Sequence, residues 1–177
     1  MRRELNLILL VALLATTATA QSNQSVYSNL AAKYCRTLQS TSEEGGSYTG
    51  RCRGVAGYNL IVEEGDLRTN IKVVPPRGGE KSLDLWTVVS SAFSSLGPKA
   101  EWRMTRRGGK LVPVALIVRY NASENVEEPS KTTSYLAVTK ITSQEICVTD
   151  KISPGLKANE EARRAADSAE TKPCLKP

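Results

Sequence analysis

The chain has 177 residues, carries a formal net charge of +6 and contains no histidine. Without histidine, a Ser-His-Asp triad, a Cys-His dyad and a histidine metal site are excluded. The basic residues are scattered and aromatics make up only 5%, so the basic, aromatic-interleaved stripe of a nucleic-acid binder is missing.

The N-terminus reads as a secretory leader. Arg2 and Arg3 form a positive region, Leu5 to Leu14 an apolar run, and Ala18-Thr19-Ala20 a small-residue cleavage site. The apolar run is well below the roughly 20 residues that span a bilayer. Cleavage would leave Gln21 to Pro177, a length suited to one domain. The expected location is periplasmic or secreted, with no integral membrane segment after the leader is removed. There the charge supports no more than weak attraction to an anionic surface.

The four cysteines, Cys35, Cys52, Cys147 and Cys174, are an even count in an exported chain. They imply two disulfides with three possible connectivities. The sequence-local choice joins Cys35 to Cys52 and Cys147 to Cys174, each bond contributing about 3 kcal/mol by loop-closure entropy. A zinc site would call for C-x-x-C spacing, which is absent.

Along the chain, residues 21–34 read as a flexible, polar N-terminal segment, with a single domain over 35–177. Gln39 to Ser47 is a loop by composition, and Tyr48 to Arg53 is extended. Tyr58, Leu60 and Val62 alternate with Asn59, Ile61 and Glu63, and Leu67, Thr69, Ile71 and Val73 alternate likewise. These predict a hairpin that turns at Glu64-Gly65-Asp66, with Gly65 free to take a positive φ. Pro75-Pro76 stops the second strand. Leu83 to Leu96 fits a short helix or an irregular crossover ending at Gly97-Pro98, its β-branched residues weakening the helix.

Lys99 to Tyr120 predicts a central hairpin. Trp102 and Met104 share one face of the first strand and Glu101 and Arg103 the other. In the second strand Val114, Leu116 and Val118 oppose Ala115, Ile117 and Arg119. Matching the apolar faces demands an odd-length loop around Gly108-Gly109 rather than a two-residue turn. Asn121 to Ser134 reads as a polar, mobile excursion, and Tyr135–Ile141 and Glu145–Ile152 as strands. Asn23-Gln24-Ser25 and Asn121-Ala122-Ser123 match the glycosylation acceptor pattern.

Ala158, Ala162, Ala165, Ala166 and Ala169 recur at helical spacing. Glu160–Arg164 and Arg163–Asp167 are i,i+4 pairs on that helix, and Pro173 ends it. The fold expected is α+β: an antiparallel sheet of about six strands with a C-terminal helix, stapled by disulfides.

Several stretches resemble a family of small exported bacterial proteins with no assigned activity. They are Cys52 to Tyr58 (C-R-G-V-A-G-Y), Glu63 to Arg68 (E-E-G-D-L-R), Glu101 to Arg103 (E-W-R), Val114 to Tyr120 (V-A-L-I-V-R-Y) and Ala158 to Asp167 ahead of Cys174. The resemblance spans Cys35 to Cys174. It implies an exported single domain and carries over no catalytic residue.

The remaining chemistry rests on carboxylates and arginines. Glu63, Glu64 and Asp66 crowd one turn, as a hard-cation site or an acidic turn offset by Arg68; EF-hand spacing is missing. Glu101 and Asp66 are the one pair to consider for a glycosidase, which needs two facing carboxylates. Glu101, Arg103 and Arg119 share a strand face. They form either a recognition patch for a carboxylate or phosphate or a cross-strand ion-pair ladder on a solvated face. Trp86 and Trp102 read as core anchors, with sugar stacking the alternative. No P-loop or G-x-G-x-x-G appears, and no catalytic residue, metal or cofactor is assigned. The function expected is a non-catalytic interaction module for another envelope or secreted protein. The alternative is a carboxylate-dependent hydrolase of envelope glycans or peptides.

Overall fold

The computed structural model describes residues 23–42 and 45–176, so the leader lies outside the described residues. In chain order the first strands are β1 (Gln24–Asn29), β2 (Cys35–Thr41), β3 (Ser47–Arg53), β4 (Asn59–Gly65), β5 (Arg68–Val74) and the short β6 (Lys81–Ser82). A one-turn helix, α1 (Leu85–Val88), precedes β7 (Phe93–Arg107), β8 (Lys110–Ser123), β9 (Thr133–Ile141) and β10 (Ile146–Ile152). Helix α2 (Ala158–Asp167) follows β10.

The strands form two five-stranded antiparallel sheets, β2-β3-β4-β5-β6 and β1-β7-β8-β9-β10. The architecture is the expected antiparallel sheet with a C-terminal helix, but among the described residues the strands number ten in two sheets. Three of them escape an apolar pattern because they are polar sheet edges: β1, β2 and β6. The N-terminal stretch expected to be flexible thus contains β1, paired with β7 from Gln24↔Met104 to Asn29↔Lys99.

The core lies between the sheets. Leu60, Val62, Ile71 and Val73 from one meet Trp102, Leu116, Val118 and Tyr120 from the other, all essentially dry. Each such side chain contributes about 1.5–3 kcal/mol by burial. Trp102 is fully buried, donates its indole N–H to Ser28 Oγ at 2.9 Å and tilts against Tyr58. A Cβ on Gly54 would stand 2.8 Å from its ring. The first glycine of C-R-G-V-A-G-Y is therefore the floor beneath the tryptophan.

Trp86 is not a core anchor: it is 46% exposed on α1, while Leu85 beside it is buried. The short helix expected within Leu83 to Leu96 is present but lasts one turn, and Phe93 already belongs to β7. Gly97-Pro98 likewise ends no helix. It sits in a bulge of β7, where residues 97–99 lie between the pairs Leu96↔Tyr120 and Ala100↔Val118.

The β7–β8 hairpin joins the apolar faces as required, with Trp102 opposite Leu116 and Ala100 opposite Val118. Its turn, however, is the two-residue Gly108-Gly109, both at positive φ, with Arg107 opposite Lys110. That is the conformation primed hairpin turns require. The parity is restored by a bulge: Val114 is the extra residue between Arg103↔Ala115 and Met104↔Pro113. Val114 accordingly is outside the core cluster. The β4–β5 turn also differs from expectation. Gly65 pairs with Arg68, and the left-handed positions fall on Asp66 (φ 49°) and Leu67 (φ 58°).

A third layer covers the outer face of the second sheet. Ala158, Ala162, Ala166 and Ala169 are buried against Ala115, Ile117, Leu136 and Val138. The alanine stripe lets the helix approach closely at little side-chain entropy cost. Both disulfides take the sequence-local connectivity. Cys35–Cys52 joins directly paired residues of β2 and β3. Cys147–Cys174 ties the segment after α2 to β10, where Leu175 N–H donates to the Val148 carbonyl at 2.8 Å.

Candidate functional site

Period-two alternation in β7 and β8 turns Glu101, Arg103 and Arg119 toward one face, as expected. That face is not solvated, because α2 covers it. The ion pairs accordingly run from sheet to helix rather than strand to strand. Arg103, only 7% exposed, donates Nε and Nη2 to the two oxygens of Asp167, both at 2.8 Å. Its other donors reach Ser25 Oγ at 2.5 Å and the Asn23 carbonyl at 2.9 Å. Glu101 accepts from Ser25 Oγ at 2.5 Å and from Arg163 at 2.6 and 3.2 Å. The expected intrahelical pair Arg163–Asp167 is thus exchanged for two partners on the sheet, while Glu160–Arg164 remains, at 3.9 Å.

This network sets the local electrostatics. Burial alone would raise the Glu101 carboxyl, but hydrogen bonds from Arg163 and Ser25, with the guanidinium charge, outweigh it and hold it below its ordinary value. The same carboxylate pushes Arg163 upward. Neither acceptor asparagine hangs free: Asn23 donates to Asp167 at 3.0 Å, and Asn121 accepts from Ser134 at 2.8 Å.

The expected patch divides in two. Arg103 is sealed within the network, whereas Glu101 and Arg119 line a cleft of about 200 Å³ beside the start of α2. The β7 bulge opens it. A Cβ on Gly97 would lie 2.7 Å from the Arg119 Cβ, so the glycine leaves the space that the arginine stem occupies. Arg119 donates to Ser134 Oγ at 2.8 Å and to Asn159 Oδ1 at 3.4 Å, both uncharged acceptors. Lys99, Tyr27 and Asn159 also line the cleft, and none was named as a site residue from the sequence. A glycine-proline pair inside an otherwise strand-like run was the available signal for the bulge.

A second surface lies at the end of the sandwich where the β4–β5 turn meets the start of β7 and the β8–β9 loop. Two adjoining grooves, of about 520 and 250 Å³, share Arg68, Phe93, Ser123 and Pro129. Leu67, Phe93 and Val126 edge them, at 64%, 47% and 93% exposure. The turn is spliced across the sheets, Ser94 N–H donating to the Leu67 carbonyl at 2.8 Å and Thr69 N–H to Ser94 Oγ at 3.1 Å. The Arg68 guanidinium lies 5.4 Å from the Phe93 ring centroid and its Nε donates to the Ser91 carbonyl at 3.0 Å.

The β8–β9 loop, expected to be mobile, is held at several points. Glu124 accepts from Ser90 at 2.7 Å and Tyr135 at 2.8 Å. Asn125 Oδ1 accepts from the Glu127 N–H at 3.0 Å. Burial would raise the Glu124 carboxyl, but the Ser90 and Tyr135 hydrogen bonds prevail and hold it below its ordinary value.

The carboxylates considered for chemistry are spread apart. Asp66 pairs with Arg68, and Glu63 with Lys72 at 2.6 Å. Asp66 belongs to the β4–β5 turn of one sheet, and Glu101 sits on the helix-covered face of the other, so the two do not share a groove. A fourth groove, of about 580 Å³, lies between Pro75-Pro76 and the β9–β10 turn. Among the described residues, the linings of these four grooves carry one carboxylate each: Glu64, Glu124, Glu101 and Glu145. Glu145 approaches Cys147 and Cys174, but their sulfurs are bonded to each other.

No helix among the described residues is long and apolar enough to cross a membrane. No family model, curated protein or solved structure matches the chain.

Proposed function

We propose that this is an exported, non-catalytic module that grips another envelope or secreted protein with the loop end of its sandwich. One observation carries the reading: the β4–β5 turn, the start of β7 and the β8–β9 loop bring Leu67, Phe93 and Val126 to the surface along adjoining grooves. Leu67 moreover keeps a left-handed backbone, φ 58°. A left-handed non-glycine residue costs about 1–2 kcal/mol, and a leucine side chain left 64% exposed recovers little of it by burial in the free protein. Strain kept at an exposed apolar tip is what a binding surface explains.

Export is supported by the Arg2 to Ala20 leader pattern and by both disulfides, bonds that persist in oxidising compartments. A hydrolase using carboxylates alone needs two of them across a cleft; among the described residues each of the four grooves is lined by one, which favours binding instead.

The test is affinity capture from envelope extract with the wild type and with Phe93→Ser and Leu67→Asn. The reading expects a defined partner on the wild type whose recovery falls at least about tenfold, some 1.4 kcal/mol, in each variant. Equal recovery by all three, or turnover of a glycan or peptide panel by the wild type, would overturn it.

A further inference from the structure

We propose that the cleft between the β7 bulge and α2 is a binding site for a carboxylate on a short apolar group, clasped by Arg119 and Lys99. This site is separate from the sandwich end, and either can fail without the other.

The argument begins with charge. Two basic side chains, Lys99 and Arg119, and one carboxylate line this cleft, and that carboxylate, Glu101, is already engaged by Arg163. Lys99 and Arg119 make no ion pair among the described residues. Arg119 is half-buried and held from behind by Ser134, which is itself anchored to Asn121. A guanidinium that has given up part of its hydration without gaining a counter-charge is primed for an anion, and a carboxylate matches its fork.

Shape and wall chemistry narrow the ligand. At about 200 Å³ the cleft holds the equivalent of about seven waters at ~30 Å³ each, enough for an acid of about six heavy atoms. Pro98, Ile117 and Leu136 line its walls. Those walls suit a short hydrocarbon stem better than a fully hydrated phosphate. The terminal residue of an extended peptide and a free short-chain acid both present this group.

The experiment is a two-dimensional amide NMR titration of the folded, disulfide-bonded protein with sodium butyrate. Butanamide serves as the uncharged isostere and inorganic phosphate as the competing anion. Saturable shifts centred on Gly97, Arg119, Leu136 and Ala162 are expected with butyrate and not with butanamide. Lys99→Gln changes an exposed side chain and should leave the spectrum folded while weakening butyrate about fivefold, as loss of an exposed charge contact does. Arg119→Gln should weaken it further.

No saturable shift at this cleft, equal shifts with butanamide, or unchanged affinity in Lys99→Gln would overturn the proposal. Phosphate saturating the cleft in preference to butyrate would overturn the carboxylate assignment. A tripeptide with a free C-terminus, compared with its C-terminal amide, separates the two sources. Tighter binding of the free peptide than of butyrate assigns the cleft to peptide ends, and the reverse assigns it to free acids.

Discussion

Leu67 and Glu101 show how single positions divide between stability and function. Leu67 holds φ 58° at the tip of the β4–β5 turn with its side chain in solvent. Leu67→Gly removes the left-handed penalty, offset in part by the greater chain entropy of glycine, and should raise stability by about 0.5–1 kcal/mol. Urea unfolding measures the gain, and a loss of stability would show that the leucine packs after all. Glu101 has a folded-state pKa below its ordinary value of 4.5. Its contribution is therefore fully present above that ordinary value and is lost as pH falls through the lowered one. Wild type should exceed Glu101→Gln in stability at pH 7, and the gap should close as pH drops below about 4.5. A gap constant down to the acid limit would contradict the ion-pair assignment.

At the scale of elements, the alternation of Trp102, Leu116 and Val118 was sufficient to orient the central hairpin, because burial of one face is strict. The loop length was not legible, since a single bulge at Val114 changes parity without leaving an apolar mark. Arg103 was misplaced onto a solvated face for a related reason. Its covering helix presents alanines, which are too small to announce a buried partner. The missed signal was on β8 itself, where Ala115 and Ile117 oppose Leu116 and Val118, so both faces are apolar and both must be covered. The alanine stripe yields its own prediction. Ala162 has no exposed surface, so Ala162→Leu should force α2 off the sheet and cost about 1–3 kcal/mol. Thermal unfolding reads this directly; a neutral substitution would mean that the helix is loosely seated.

At the scale of the molecule, two sheets, one outer helix and two disulfides set a rigid frame, and the candidate sites sit where that frame is interrupted. The β7 bulge opens the cleft at Arg119, and the left-handed β4–β5 turn lifts Leu67 beside Phe93. The Gly97-Pro98 pair was the one sequence signal for the bulge, and the left-handed positions of the turn, Asp66 and Leu67, had none. Glu101 and Arg119 were singled out from strand alternation alone, while Phe93, Leu67 and Val126 were not, because exposure depends on which loops end at the same edge. The most direct measurement is photocrosslinking from position 93, with a photoreactive phenylalanine analogue placed in the exported protein in its native envelope. Position 156, where Leu156 is fully exposed on the β10–α2 connection, provides the control. The account predicts one discrete adduct from position 93 that is absent from position 156 and lost when Leu67 is replaced by Asn. No adduct from position 93, or the same adducts from both positions, would contradict it.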